Sequence, residues 1–139
     1  MASVSVNQDL PVPAQMVWTT IGGFNALPDW HPAVENSELE KDGGNTLRRL
    51  HLAGGGEIVE KLEQIDDNER LYTYSILSGP LPVANYTATI RVKATAGGCN
   101  VEWSSEFDPA GAPENDAVAA IQGVYEAGFE NLKKMFGAS

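Results

Sequence analysis

Hydrophobic and polar positions alternate in twos through the middle of this chain and recur every three or four residues near its ends. The alternating stretches are residues 3–10, 34–40, 46–52, 57–64, 70–77, 86–96 and 100–107, each with the period of a half-buried strand. Between the last six lie turn-forming runs: Asp42-Gly43-Gly44-Asn45, Gly54-Gly55-Gly56, Asp66-Asp67-Asn68-Glu69, Gly79-Pro80-Leu81-Pro82 and Ala96-Gly97-Gly98. Connections this short predict an antiparallel meander.

The longest helical signal runs from Pro113 to Phe136, with apolar residues at Val118, Ile121, Val124, Tyr125, Gly128, Phe129, Leu132 and Met135. Pro113 suits a first turn, Glu114 and Asp116 put negative charge at the positive end of the macrodipole, and Lys133 and Lys134 sit at the other end before Gly137. A face this wide needs a cover, and the strands supply it. Upstream, Ala14, Val17, Trp18 and Ile21 predict a short helix stopped by Gly22-Gly23. Phe24 to Leu27 predict a further turn before Pro28, followed by the Asp29-Trp30-His31-Pro32 segment, where Pro32 biases His31 toward extended backbone. Strand, two short helices, six strands and a long helix is an α+β order, with helices on one face of a curved antiparallel sheet. No repeat or linker divides the 139 residues, so a single domain over 1–139 is expected.

The period of two also assigns faces. Val101, Trp103, Ser105 and Phe107 share one side, as do Tyr86, Ala88, Ile90 and Val92, and Tyr72, Tyr74 and Ile76 with Arg70 at their start. Two strands carry charge among their apolar residues: Arg48 with Leu50 and Leu52, and Glu60 with Ile58 and Leu62. A lone inward carboxylate is costly unless paired. The Gly54-Gly55-Gly56 hairpin brings residues 48 to 50 opposite 60, so an Arg48–Glu60 pair satisfies both charges. The alternative is that one strand faces the other way and both groups are solvated.

Composition narrows the function classes. The net charge of −10 is spread along the chain and repels phosphate backbones, which argues against nucleic acid as a partner. No stretch approaches the about 18 apolar residues of a membrane span. The first residues lack the basic and apolar regions of a signal peptide, so the expected location is cytoplasmic. One cysteine, Cys99, allows no internal disulfide, sits in a turn-like run, and has no basic neighbour to activate it. With two histidines, no metal set is complete, and no cofactor motif occurs; the triple glycine joins two strands and lacks a following Lys-Ser/Thr. No G-x-S-x-G elbow is present. His31 is the most suggestive proton shuttle, weighed against a turn-capping role beside Trp30, and His51 falls on the outward face.

Taken in order, Val17-Trp18, the run from Phe24 to Val34, Leu47-Arg48-Arg49-Leu50, Ile58-Val59-Glu60-Lys61-Leu62, Tyr72-Thr73-Tyr74, Gly79-Pro80-Leu81-Pro82-Val83 and Val101-Glu102-Trp103 resemble the polyketide cyclase/dehydrase-type branch of the START-like (SRPBCC) superfamily. The resemblance spans nearly the whole chain. It implies the helix-grip fold, a seven-stranded curved antiparallel sheet wrapped around the C-terminal helix with a cavity between them. It also implies that the Trp30-His31-Pro32 segment lies near that cavity; Gly79-Pro80-Leu81-Pro82 reads as a rigid loop at the cavity mouth in preference to a polyproline ligand.

It leaves the activity open, because function resides in the site rather than the fold. One expectation is binding of a small hydrophobic or aromatic, polyketide- or lipid-like molecule. Tyr72, Tyr74, Tyr86, Trp103 and Tyr125 would form its walls with Trp30 and Ile121, and Arg48, Glu60 and His31 would orient its polar end. A second is cyclisation or dehydration in the same cavity, with Glu60 or His31 as base and Arg48 or a tyrosine hydroxyl stabilising an enolate. A third is a protein-interaction module with an incidental cavity. The expected state is monomer or homodimer, the latter through an exposed edge strand.

Overall fold

In the computed structural model, which describes residues 1–137, the order is β1 (Ala2–Leu10), α1 (Ala14–Ile21), α2 (Leu27–Trp30), β2 (Val34–Asp42), β3 (Asn45–Leu52), β4 (Glu57–Asp66), β5 (Leu71–Ser78), β6 (Val83–Thr95), β7 (Gly98–Pro109) and α3 (Glu114–Met135). All seven strands form one antiparallel sheet in the order β1-β7-β6-β5-β4-β3-β2. β2 to β7 are the expected meander. β1 closes the far side by pairing with β7, and α1 and α2 carry the chain from one edge to the other. The architecture is α+β and that of a helix grip.

The alternation in β6 and β7 has the physical consequence read from it: Tyr86, Ala88, Ile90 and Val92, and Val101, Trp103, Ser105 and Phe107, are all buried. α3 lays Ala117, Ile121, Tyr125, Gly128, Phe129 and Leu132 against the sheet's inner face, with Val118 and Val124 half-buried and Met135 exposed. Pro113 precedes its first turn, and Gly137 ends it in the left-handed region at φ 75°. Gly128 is a notch in this helix: a Cβ there would stand 2.8 Å from both the His31 and Trp30 rings. The β3–β4 turn depends on glycine throughout, since Gly54, Gly55 and Gly56 have φ of 88°, 106° and 103°.

Four local expectations are corrected. The second helix covers Leu27–Trp30, not the residues before Pro28, because Pro28 occupies its first turn, where no N–H is needed. β5 starts at Leu71, since Arg70 has φ 55° and points its guanidinium to Gln15 on α1. β6 starts at Val83, three residues before Tyr86, through an irregularity where Asn85 has φ 53°. Cys99 lies within β7 and is fully buried rather than in a turn; burial pushes its thiol up. No helix among the described residues is long and apolar enough to cross a membrane.

Candidate functional site

The site begins with the β3–β4 register. Arg48 pairs directly with Glu60, and the Arg48 Nε donates to Glu60 Oε1 at 2.7 Å. Both side chains are inside the protein. The guanidinium reaches further into the core than its partner: Nη1 donates to the Phe24 carbonyl at 2.8 Å and to the Tyr72 hydroxyl at 3.3 Å. Its carbon lies 4.2 Å from the Phe24 ring centre and 4.9 Å from that of Tyr74, within cation–π range. Burial works against its charge, but facing Tyr72, Glu60 and Tyr74 holds it protonated above its ordinary value. For Glu60, burial pushes the carboxyl up and Arg48 pulls it back. The carboxylate stays ionised for a simple reason: its proton would leave Arg48 as a buried charge without a counterion.

Glu60 also lines a cavity of about 200 Å³ between the sheet and α3. Of the residues expected at such a site, His31, Glu60, Tyr74, Tyr86, Trp103, Ile121 and Tyr125 reach its wall. Arg48, Tyr72 and Trp30 do not. Arg48 stands behind Glu60, Tyr72 packs edge-on against Phe24, and Trp30 packs against Trp103 at 5.4 Å between ring centres. The remaining wall is aliphatic, with Leu27 from α2, Leu50 and Leu52 from β3, Ile58 from β4 and Val124 from α3. Their apolar periodicity marked them as inward, but gave no sign that they border space instead of neighbours.

His31 is held at both ring nitrogens. The Ala33 N–H donates to Nδ1 at 3.1 Å, so Nε2 carries the proton and donates it to the Val124 carbonyl at 2.7 Å. Burial lowers its pKa, keeping it neutral, while the Val124 bond acts in the opposite direction. Its ring borders the cavity, yet neither nitrogen is free for a ligand. The histidine therefore joins the β2 approach to the middle of α3, and Asn131 Nδ2 adds a second tie by donating to the Trp30 carbonyl at 2.8 Å.

A hydroxyl relay forms a further part of the wall. Trp103 Nε1 donates to the Tyr74 hydroxyl at 3.0 Å, Tyr74 and Tyr86 hydroxyls lie 3.2 Å apart, and Tyr86 bonds in turn to Tyr125. The Tyr125 ring stacks on Trp103 at 4.2 Å between centres. Burial raises the pKa of all three phenols, so they remain protonated.

Next to the cavity the sheet opens. The β5–β6 ladder ends at Ser75 opposite Thr87, and beyond it a groove of about 640 Å³ separates Ile76–Ser78 from Val83–Tyr86. Ile58, Ile76, Leu81 and Tyr86 border both the groove and the cavity, and Leu81 belongs to the proline-flanked loop expected at the mouth. Groove and cavity share walls, but Glu60, Tyr74, Trp103 and Tyr125 border the cavity and not the groove. Among the described residues, no group of three His, Cys, Asp or Glu side chains is placed to hold a metal.

The same architecture recurs in solved structures. The XoxI protein of Bacillus cereus superposes with a TM-score of 0.92 at 39% identity, over 98% of this chain and 96% of that one. An uncharacterised protein from Bacillus thuringiensis gives 0.90 at 39% identity, over 97% and 98%. A protein from Thermobifida fusca gives 0.85 at 29% identity, over 99% and 94%. Among curated proteins no match is found. Residues 1–137 match the family described as polyketide cyclase / dehydrase and lipid transport, and with the helix grip and its cavity in place, the chain belongs to that family.

Proposed function

We propose that this protein binds a small hydrophobic or aromatic molecule in the cavity between its sheet and α3. One observation carries the reading: a mostly aliphatic and aromatic chamber of about 200 Å³ has a carboxylate and phenol hydroxyls on its wall. That mixture is typical of small-molecule sites, where apolar walls give affinity and a few polar groups give orientation. Native mass spectrometry of freshly purified protein, with denaturing extraction of what is released, tests it. The expected result is a small apolar molecule that leaves on denaturation and is absent from Ile121→Trp, which puts an indole into the chamber. An adduct retained equally by Ile121→Trp counts against the cavity as its site.

A second reading, acid–base catalysis in the same chamber, is favoured by Glu60 alone. Its carboxyl is pushed up by burial, which strengthens it as a base, and it borders the cavity. Tyr125 would then donate to a developing enolate. Arg48 and His31 have no free group at the wall and are assigned supporting positions. In this reading Glu60→Gln retains ligand affinity and loses turnover; in the carrier reading there is no turnover to lose.

A further inference from the structure

The hydroxyl relay has a direction. The Trp103 indole can only donate, so the Tyr74 oxygen accepts from it. Among the described residues the Tyr74 proton has one acceptor, Tyr86, and the Tyr86 proton then passes to Tyr125. Beyond burial, which raises both phenols, the Tyr86–Tyr125 bond raises the Tyr86 pKa and lowers that of Tyr125, as a bond donated by Tyr86 does, so the proton left over belongs to Tyr125. Ser105 Oγ, its buried neighbour, acts on the Tyr125 oxygen as a donor and likewise works to lower its pKa, so it does not claim that proton. Tyr125 borders the cavity, so the relay ends there in a donor.

The same chamber also holds an acceptor. Glu60 gives Oε1 to Arg48 and makes no other side-chain hydrogen bond among the described residues. Its second oxygen is free to accept on the cavity side. The chamber thus presents one donor and one acceptor, and the acceptor is anionic. A hydroxyl group answers both at once, donating to Glu60 and accepting from Tyr125. A carboxylate would face Glu60 as a like charge in a low-dielectric space. An ether or a hydrocarbon would leave Glu60 unanswered.

Size limits the remainder of the molecule. The chamber's about 200 Å³ exceeds the roughly 150 Å³ of an apolar cavity that takes up benzene. It is below the roughly 300 Å³ at which sites for drug-sized ligands begin. A fused-ring or long-chain molecule would have to emerge through the β5–β6 opening, past Ile76 and Tyr86. Building on the cavity-binding reading above, we infer that the occupant is a neutral single-ring compound bearing a hydroxyl group, held between Glu60 and Tyr125.

The test is a calorimetric titration of the purified full chain with phenol, anisole, benzoate and decanol, repeated on Ile121→Trp. Phenol should bind at least about tenfold more tightly than anisole or benzoate, the size of one lost charge-assisted hydrogen bond. That binding should disappear in Ile121→Trp, whose fold is checked by circular dichroism. Equal binding of anisole removes the hydroxyl from the proposal, and tighter binding of benzoate removes neutrality; either overturns it. Decanol binding without phenol binding overturns the single-ring assignment and leaves the cavity reading intact. Failure of all four compounds, with wild type and Ile121→Trp indistinguishable, overturns both.

Discussion

Arg48 and Glu60 share a hydrogen bond, yet their surroundings differ. On the Arg48 side the interior is full: Phe24, Tyr72 and Tyr74 close around the guanidinium, and Trp18 packs against Tyr72 while donating to Asp67 at 3.0 Å. On the Glu60 side it stops short of filling, and the carboxylate borders open space with Tyr86, Tyr125 and Ile121. The difference teaches how a charge can be kept in a cavity. A fixed cation on the filled side retains a carboxylate on the open side, so the pair is weak evidence for stability and better evidence for a site.

The comparison is broken most directly by Arg48→Ala. Removing the cation leaves Glu60 buried without a partner, and chemical denaturation should record a loss of about 3–5 kcal/mol. A loss under about 1 kcal/mol would mean that Glu60 is already hydrated or neutral. The same enlargement in the two regions sharpens the contrast. Ile90 and Ile121 are each almost fully buried, but only Ile121 borders the cavity. Ile90→Trp should cost about 1–3 kcal/mol or more by overpacking. Ile121→Trp should cost less than about 1.5 kcal/mol because there is space to receive the ring.

Gly128→Ala probes the boundary between the regions. The added methyl gains about 1 kcal/mol of helix propensity but meets the His31 and Trp30 rings at 2.8 Å. A net loss of up to about 2 kcal/mol in thermal or denaturant unfolding is expected. The smallest effect is that of pH. Burial lowers the His31 pKa below 6.5, so the unfolded chain takes up this proton more readily than the folded one. Its contribution is complete above the unfolded value and declines as pH falls from there toward the folded value. Melting temperatures followed from about pH 8 to about pH 5 should fall less steeply in His31→Gln than in wild type.

Much of this was legible in the sequence because a strand's period of two is decided locally. Trp103 and Ile90 had to face inward once their neighbours Glu102 and Arg91 faced out. The Arg48–Glu60 pair followed from counting back from three glycines. What was not legible depended on position along a face. Tyr72 and Tyr74 share a side of β5, yet one meets Phe24 and the other meets space, and the placing of α1 and α2 decides which. His31 resembled a free proton shuttle because its second partner, Val124, lies on α3, far along the chain. Pro28 resembled a stop because a proline in the first turn of a four-residue helix has the same local sequence as one that ends a turn.

The closure of the sheet carries a consequence for how the molecule forms. Within this sheet β1 precedes the other six strands and pairs along its whole length with β7, the seventh. Its other neighbour is α3, which comes later still. Residues 2–10 therefore have no sheet partner until residues 99–107 have been made. The loop entropy of that late contact places folding on the slow side for a domain of this size. The cavity has no complete wall until α3 packs on the sheet, because Ile121, Val124 and Tyr125 belong to that helix.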